Sequence, residues 1–93
     1  MKKEELFQST LTSALEELGV TRGELQSGSR YMNVVDARSI VAALLKEEHG
    51  ALQVDIASLL GTSQAAVSKM LARHRTMMRY NKPYRQKWES LNN

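Results

Sequence analysis

The sequence predicts an all-α fold, a compact bundle of about five to six helices. Three observations lead there. Apolar residues recur at helical spacing in four separate stretches, and Gly19, Gly50, Gly61 and Pro83 punctuate those stretches. No stretch alternates polar and apolar residues as a half-buried strand does. Hydrophobic residues make up 42% of the 93 and charged residues 25%, which is the balance of a globular domain and excludes a disordered tail.

Phe7, Leu11, Ala14, Leu15 and Leu18 fall on one face of a first helix over about residues 3–18, and Gly19 ends it. Thr21 followed by Glu24 has the spacing of a capping box, so one short helical turn through Leu25 is expected. Ser27-Gly28-Ser29 reads as a loop. A long helix follows over about residues 33–48, with Ala37, Ile40, Val41, Leu44 and Leu45 on one face, and His49-Gly50 closes it. A shorter helix over about residues 52–60 is expected to bury Leu52, Ile56, Leu59 and Leu60.

Ser63 is placed to cap the next helix, because its hydroxyl can accept an orphan backbone N–H. That helix runs to about Tyr80 and carries Val67, Met70, Leu71, His74, Met77 and Met78 as an apolar stripe. His74 reads as a core residue and the methionines as core filling. Asn81-Lys82-Pro83 stops the helix, since proline disfavours a helical residue before it. Pro83 suits the first turn of a last helix bearing Tyr84, Trp88 and Leu91. The spacing of Tyr80, Tyr84 and Trp88 suits packing of that helix onto the bundle better than stacking on single-stranded bases.

Composition narrows the function. There is no cysteine, which excludes a disulfide scaffold, Cys-ligated zinc and thiol chemistry. The two histidines, His49 and His74, lie 25 positions apart without cysteine partners, so no metal site is expected. No nucleophile, base and acid fall in a catalytic arrangement, and neither an enzyme nor a cofactor or small-molecule substrate is expected. The longest apolar run, residues 40–45, is far too short to span a membrane, and no apolar stretch follows the two amino-terminal lysines as a secretory signal requires. A cytoplasmic monomer of one domain over 1–93 is the expectation.

The charge is unevenly spread. Residues 1–61 hold six Lys/Arg against nine Asp/Glu, a net of −3, whereas residues 62–93 hold seven Lys/Arg against Glu89 alone, a net of +6. A segment that basic attracts polyanions. The alternative is a solvated helix whose cations serve solubility.

The most informative stretch lies within residues 52–80. Counting from Gln53, Ala57 falls fifth, Gly61 ninth, Val67 fifteenth and Met70 eighteenth. That is the spacing of a helix-turn-helix: a small residue where the helices cross, a residue tolerant of positive φ in the turn, and apolar contacts locking the pair. The outer face of the second helix then carries Gln64, Ala65, Ser68, Lys69, Ala72 and Arg73 after Thr62-Ser63. Short side chains let a helix approach base edges in a major groove. Gln64 has the donor and acceptor for adenine, Ala65 suits a thymine methyl, and Ser63 or Ser68 reaches a base or phosphate. Lys69 and Arg73, with Arg75 and Arg79 beyond them, follow the backbone. An αα-corner with no ligand, or an adaptor whose basic face meets an acidic protein, remains the alternative.

Ala14-Leu15-Glu16-Glu17-Leu18-Gly19-Val20-Thr21, Glu24-Leu25-Gln26-Ser27, Val35-Asp36-Ala37-Arg38-Ser39-Ile40-Val41 and Asn81-Lys82-Pro83-Tyr84-Arg85-Gln86-Lys87, with the helix-turn-helix between them, resemble the C-terminal DNA-binding domain of the bacterial replication initiator DnaA. The resemblance covers about residues 8–91 and implies a Trp-repressor-like helical fold that binds double-stranded DNA. It further implies a basic residue entering the minor groove from the loop before the long helix, the place of Arg30. An arginine near the start of that helix touches DNA, the place of Arg38 with Ser39 beside it. A lysine eight positions on touches the backbone, the place of Lys46. At the turn the family reads Gly-Gly-Arg-Asp-His-Thr-Thr-Val, whereas Gly61-Thr62-Ser63-Gln64-Ala65-Ala66-Val67 is one residue shorter and lacks the Arg, Asp, His and Thr pair. The chain carries no phosphate-binding loop, so a regulator or accessory replication factor standing apart from any ATPase is the implied setting.

Overall fold

A computed structural model describes residues 3–91, with the side chain of Lys3 left out; Met1 and Lys2 of the amino-terminal reading lie outside the described residues. Six helices follow one another: α1 Lys3–Leu18, α2 Arg22–Gln26, α3 Met32–His49, α4 Gln53–Leu60, α5 Gln64–Tyr80 and α6 Lys82–Leu91. No strand occurs among the described residues. The fold is all-α, as the periodicity predicts.

The capping residues of the sequence cap the helices they precede. Thr21 Oγ1 accepts the Glu24 amide at 3.0 Å while Glu24 Oε1 accepts the Thr21 amide at 3.0 Å, a complete capping box. Ser63 Oγ accepts the Ala66 amide at 3.1 Å. α5 stops at Tyr80, and Asn81 Oδ1 accepts the Tyr84 amide at 2.9 Å, opening α6 with Pro83 in its first turn.

α3 departs from the one-faced helix expected of it. From Ala37 to Leu45 every residue is buried except Arg38, which is partly so. The reason is Ala37, Ala42 and Ala43: their small side chains let α1, α2, α4 and α5 close on α3 from several sides. Phe7, Leu11, Ala14 and Leu15 of α1, Leu25 of α2, Ile56 and Leu60 of α4, and Val67 and Leu71 of α5 complete a single apolar cluster around it.

Two expectations of burial fail. Leu52 is 61% exposed because it is the residue before the first turn of α4, where its extended backbone turns the side chain outward. Tyr80 is 76% exposed and lies beneath its neighbour Arg79, whose guanidinium carbon is 5.9 Å from the ring centroid. α6 therefore packs through Tyr84, which is buried, with Trp88 and Leu91 partly covered.

Candidate nucleic-acid interface

α4 and α5 pack against each other through the residues the spacing selects. Ala57 is buried at the crossing, Ile56 and Val67 are buried behind it, and Met70 packs against the same core. The turn is Gly61, at φ 66° and ψ 40°. Its amide donates to the Ser58 carbonyl at 3.3 Å and the Thr62 amide donates to the Ala57 carbonyl at 2.9 Å, closing the end of α4. A Cβ at Gly61 would meet nothing closer than Gln26 Cγ at 3.9 Å, so backbone conformation and not crowding makes glycine the fitting residue. Gln26 Nε2 also donates to the Leu59 carbonyl at 3.1 Å, which ties α2 to the same end of α4.

The helix that follows divides cleanly. Val67, Leu71 and His74 are buried, whereas Thr62, Ser63, Gln64, Ala65, Ser68, Lys69 and Ala72 are exposed, with Arg75, Thr76 and Arg79 continuing the outer face. No acidic residue lies between Asp55 and Glu89, so that face carries only positive charge. Arg30 is also exposed, in the loop before α3, and among the described residues it makes no hydrogen bond or ion pair. Lys46 is exposed in the last turn of α3, about 12 Å along the helix axis from Arg38 at 1.5 Å per residue.

Three candidates do other work. Ser39 is 1% exposed, and its hydroxyl donates weakly to the Val35 carbonyl at 3.4 Å, so it cannot reach a duplex. Its neighbours on α3 and α5 bury it. Arg38 turns inward over the loop: Nε donates to the Leu25 carbonyl at 2.9 Å, Nη1 to the Ser29 carbonyl at 2.8 Å, and Nη2 to the Ser27 carbonyl. Those three acceptors take three of its five N–H donors and turn the guanidinium toward the loop. Arg73 reaches across to α3, with Nη2 2.7 Å from Asp36 Oδ1 and 3.2 Å from Met32 Sδ, and Nη1 3.4 Å from Ser39 Oγ. Its side chain is only 26% exposed and that of Asp36 9%. Arg38 and Arg73 are thus structural ties that position Arg30 and α5.

Sequence reasoning missed this knot of charge. Asp36 holds Lys87 of α6 as well, Nζ to Oδ2 at 3.5 Å, so one carboxylate joins α3, α5 and α6. Helical spacing could place Asp36 on the Ser39 side of α3, but the partners come from positions 37 and 51 further along the chain. Beneath the knot, His74 Nδ1 and the Tyr84 hydroxyl share a hydrogen bond of 2.7 Å, and the His74 ring stacks obliquely on Trp88 at 4.5 Å between centroids. Burial, and next the charge of Arg75, hold the His74 imidazole below its ordinary value of 6.5, so it is neutral near pH 7. Burial pushes the Tyr84 hydroxyl up, out of reach of titration under ordinary conditions.

Among the described residues no group of His, Cys, Asp or Glu is placed to hold a metal ion, and no helix is long and apolar enough to cross a membrane. Comparisons with family models, with curated proteins and with solved structures return no match.

Proposed function

We propose that this chain binds double-stranded DNA through its helix-turn-helix. In this reading the amino-terminal half of α5 enters the major groove and Arg30 lies at or in the neighbouring minor groove. The setting we favour is a DnaA-like regulator or accessory replication factor. One observation carries the proposal: the face of α5 bearing Gln64, Ala65, Ser68 and Lys69 is open to solvent, with Ala65, Ser68 and Ala72 short enough for close approach, while its opposite face is locked into the core. A helix so held is a rigid probe, and the outward cations around it suit a phosphate backbone.

Gln64 and Ala65 would read bases, with Ser63 and Ser68 beside them. Thr62 and Lys46 would add contacts at the margin. Arg30, Lys69, Arg75 and Arg79 would neutralise about four phosphates, giving a slope of log affinity against log salt of about −3 to −4. Titration of the full chain with a random-sequence duplex across a salt series tests this. An acidic polypeptide bound in place of duplex would favour the adaptor and contradict the proposal. In a selected sequence, Gln64→Ala is expected to relax preference at one base pair by about 1–3 kcal/mol. An equal loss on every sequence would remove Gln64 as a reader.

A further inference from the structure

Tyr31 and Met32 are 77% and 63% exposed, among the most exposed large apolar side chains of the described residues. They do not sit on a loose loop. The Arg38 guanidinium grips the carbonyls of Leu25, Ser27 and Ser29 behind them. Ser27 Oγ accepts the Ser29 amide at 3.2 Å, and Ser29 Oγ accepts the Tyr31 amide at 3.3 Å. A half-buried arginine and two serines thus hold two apolar side chains out in water.

Their position gives this a purpose. Met32 Sδ is 3.2 Å from Arg73 Nη2, so the pair abuts the flank of α5, and Lys69 lies one helical turn from Arg73 on that flank. Arg30 adjoins Tyr31 on the other side. No acidic residue occurs from Leu25 to Val35, and the carboxylate of Asp36 is already held by Arg73 and Lys87. An apolar step bordered by cations, with no carboxylate of its own to spare, matches a surface that is apolar at its sugars and anionic at its phosphates.

We infer that Tyr31 and Met32 form a contact tip that packs against the deoxyribose edge of duplex DNA beside the groove entered by α5, an inference that rests on the DNA-binding reading. The tyrosine ring covers a sugar, its hydroxyl faces the adjoining phosphate, and Met32 fills the space between the ring and α5. The tip has no charge, so it adds affinity without releasing counterions, unlike Arg30 next to it.

The test compares the full chain with Tyr31→Ala, Tyr31→Phe, Met32→Ala and Arg30→Ala on a short A·T-rich duplex at several salt concentrations. Tyr31→Ala is expected to weaken binding about tenfold with an unchanged salt slope. Met32→Ala weakens it less, Tyr31→Phe keeps most of the affinity, and Arg30→Ala lowers the slope by about 1. Both side chains are mostly exposed, with the Met32 sulfur touching Arg73, so these variants are expected to keep the fold, which thermal melting checks. Wild-type binding with no loss in Tyr31→Ala and Met32→Ala overturns the tip and leaves the DNA-binding reading standing. A wild type that binds no duplex overturns both. Polyglutamate that displaces the duplex through a Tyr31-dependent contact of its own assigns the tip to an acidic protein and overturns its seating on DNA.

Discussion

At the scale of single residues, the arginines differ by what their guanidinium groups already hold. Arg38 grips loop carbonyls, Arg73 grips Asp36, and Arg85 Nη1 donates to the Met78 carbonyl at 2.9 Å, while Arg30 and Arg75 face solvent. The sequence shows a net charge of +6 in its last third without showing this division, because each inward partner comes from another helix or from the loop before α3. Removing Arg73 leaves Asp36, nearly buried, with only Lys87 beside it. Arg73→Ala is therefore expected to cost about 1–3 kcal/mol of stability, measured by urea unfolding, whether or not DNA is present. No loss would mean the ion pair contributes nothing. His74 was legible as a core residue from its place in the apolar stripe, and its burial sets a pH dependence. Above 6.5 the group is neutral both folded and unfolded and adds no slope. As pH falls below 6.5 the unfolded chain takes up the proton first, so stability declines until the lowered folded value is passed. The melting temperature should fall between pH 7 and pH 5, and His74→Gln should flatten that fall; an unchanged profile would show that other groups set it.

At the scale of elements, the turn between α4 and α5 was the most legible part of the chain, because glycine at the ninth place has a backbone reason. Gly61→Ala forces a Cβ into the left-handed region at φ 66° and should destabilise by about 1–2 kcal/mol, seen as a shifted denaturation midpoint at unchanged m-value. The loop of residues 27–31 was legible only as a loop. Its order comes from Arg38, thirteen positions beyond Leu25, and no local pattern announces such a tie. Arg38→Ala should speed amide exchange at Ser29 and Tyr31 while α5 amides stay protected. Equal exchange in both proteins would show that the loop orders itself. Leu52 failed as a core residue for a related reason, since spacing cannot tell the last residue before a helix from the first residue within it.

At the scale of the whole molecule, burial of α3 on all sides fixes where everything else lies. α1, α2 and α4 close around it, and α5 presents one face to α3 and the other to solvent. The helical periods foretold about five to six helices, of which six are found, and the partition of α5. They could not foretell that Asp36 would fasten α3, α5 and α6 together, or that Ser39 would be sealed beneath that joint. The basic outer face is thus held as a rigid body relative to the loop carrying Arg30. The most direct test of that arrangement is to map backbone amide shifts of the isotope-labelled chain on adding duplex. Perturbations gathered at Gln64, Ala65, Ser68, Lys69 and Ala72, with a second set at Arg30 and Tyr31, are the predicted result. Shifts gathered instead on α1 and α4, or none at all at concentrations where charge alone should draw duplex in, would contradict it.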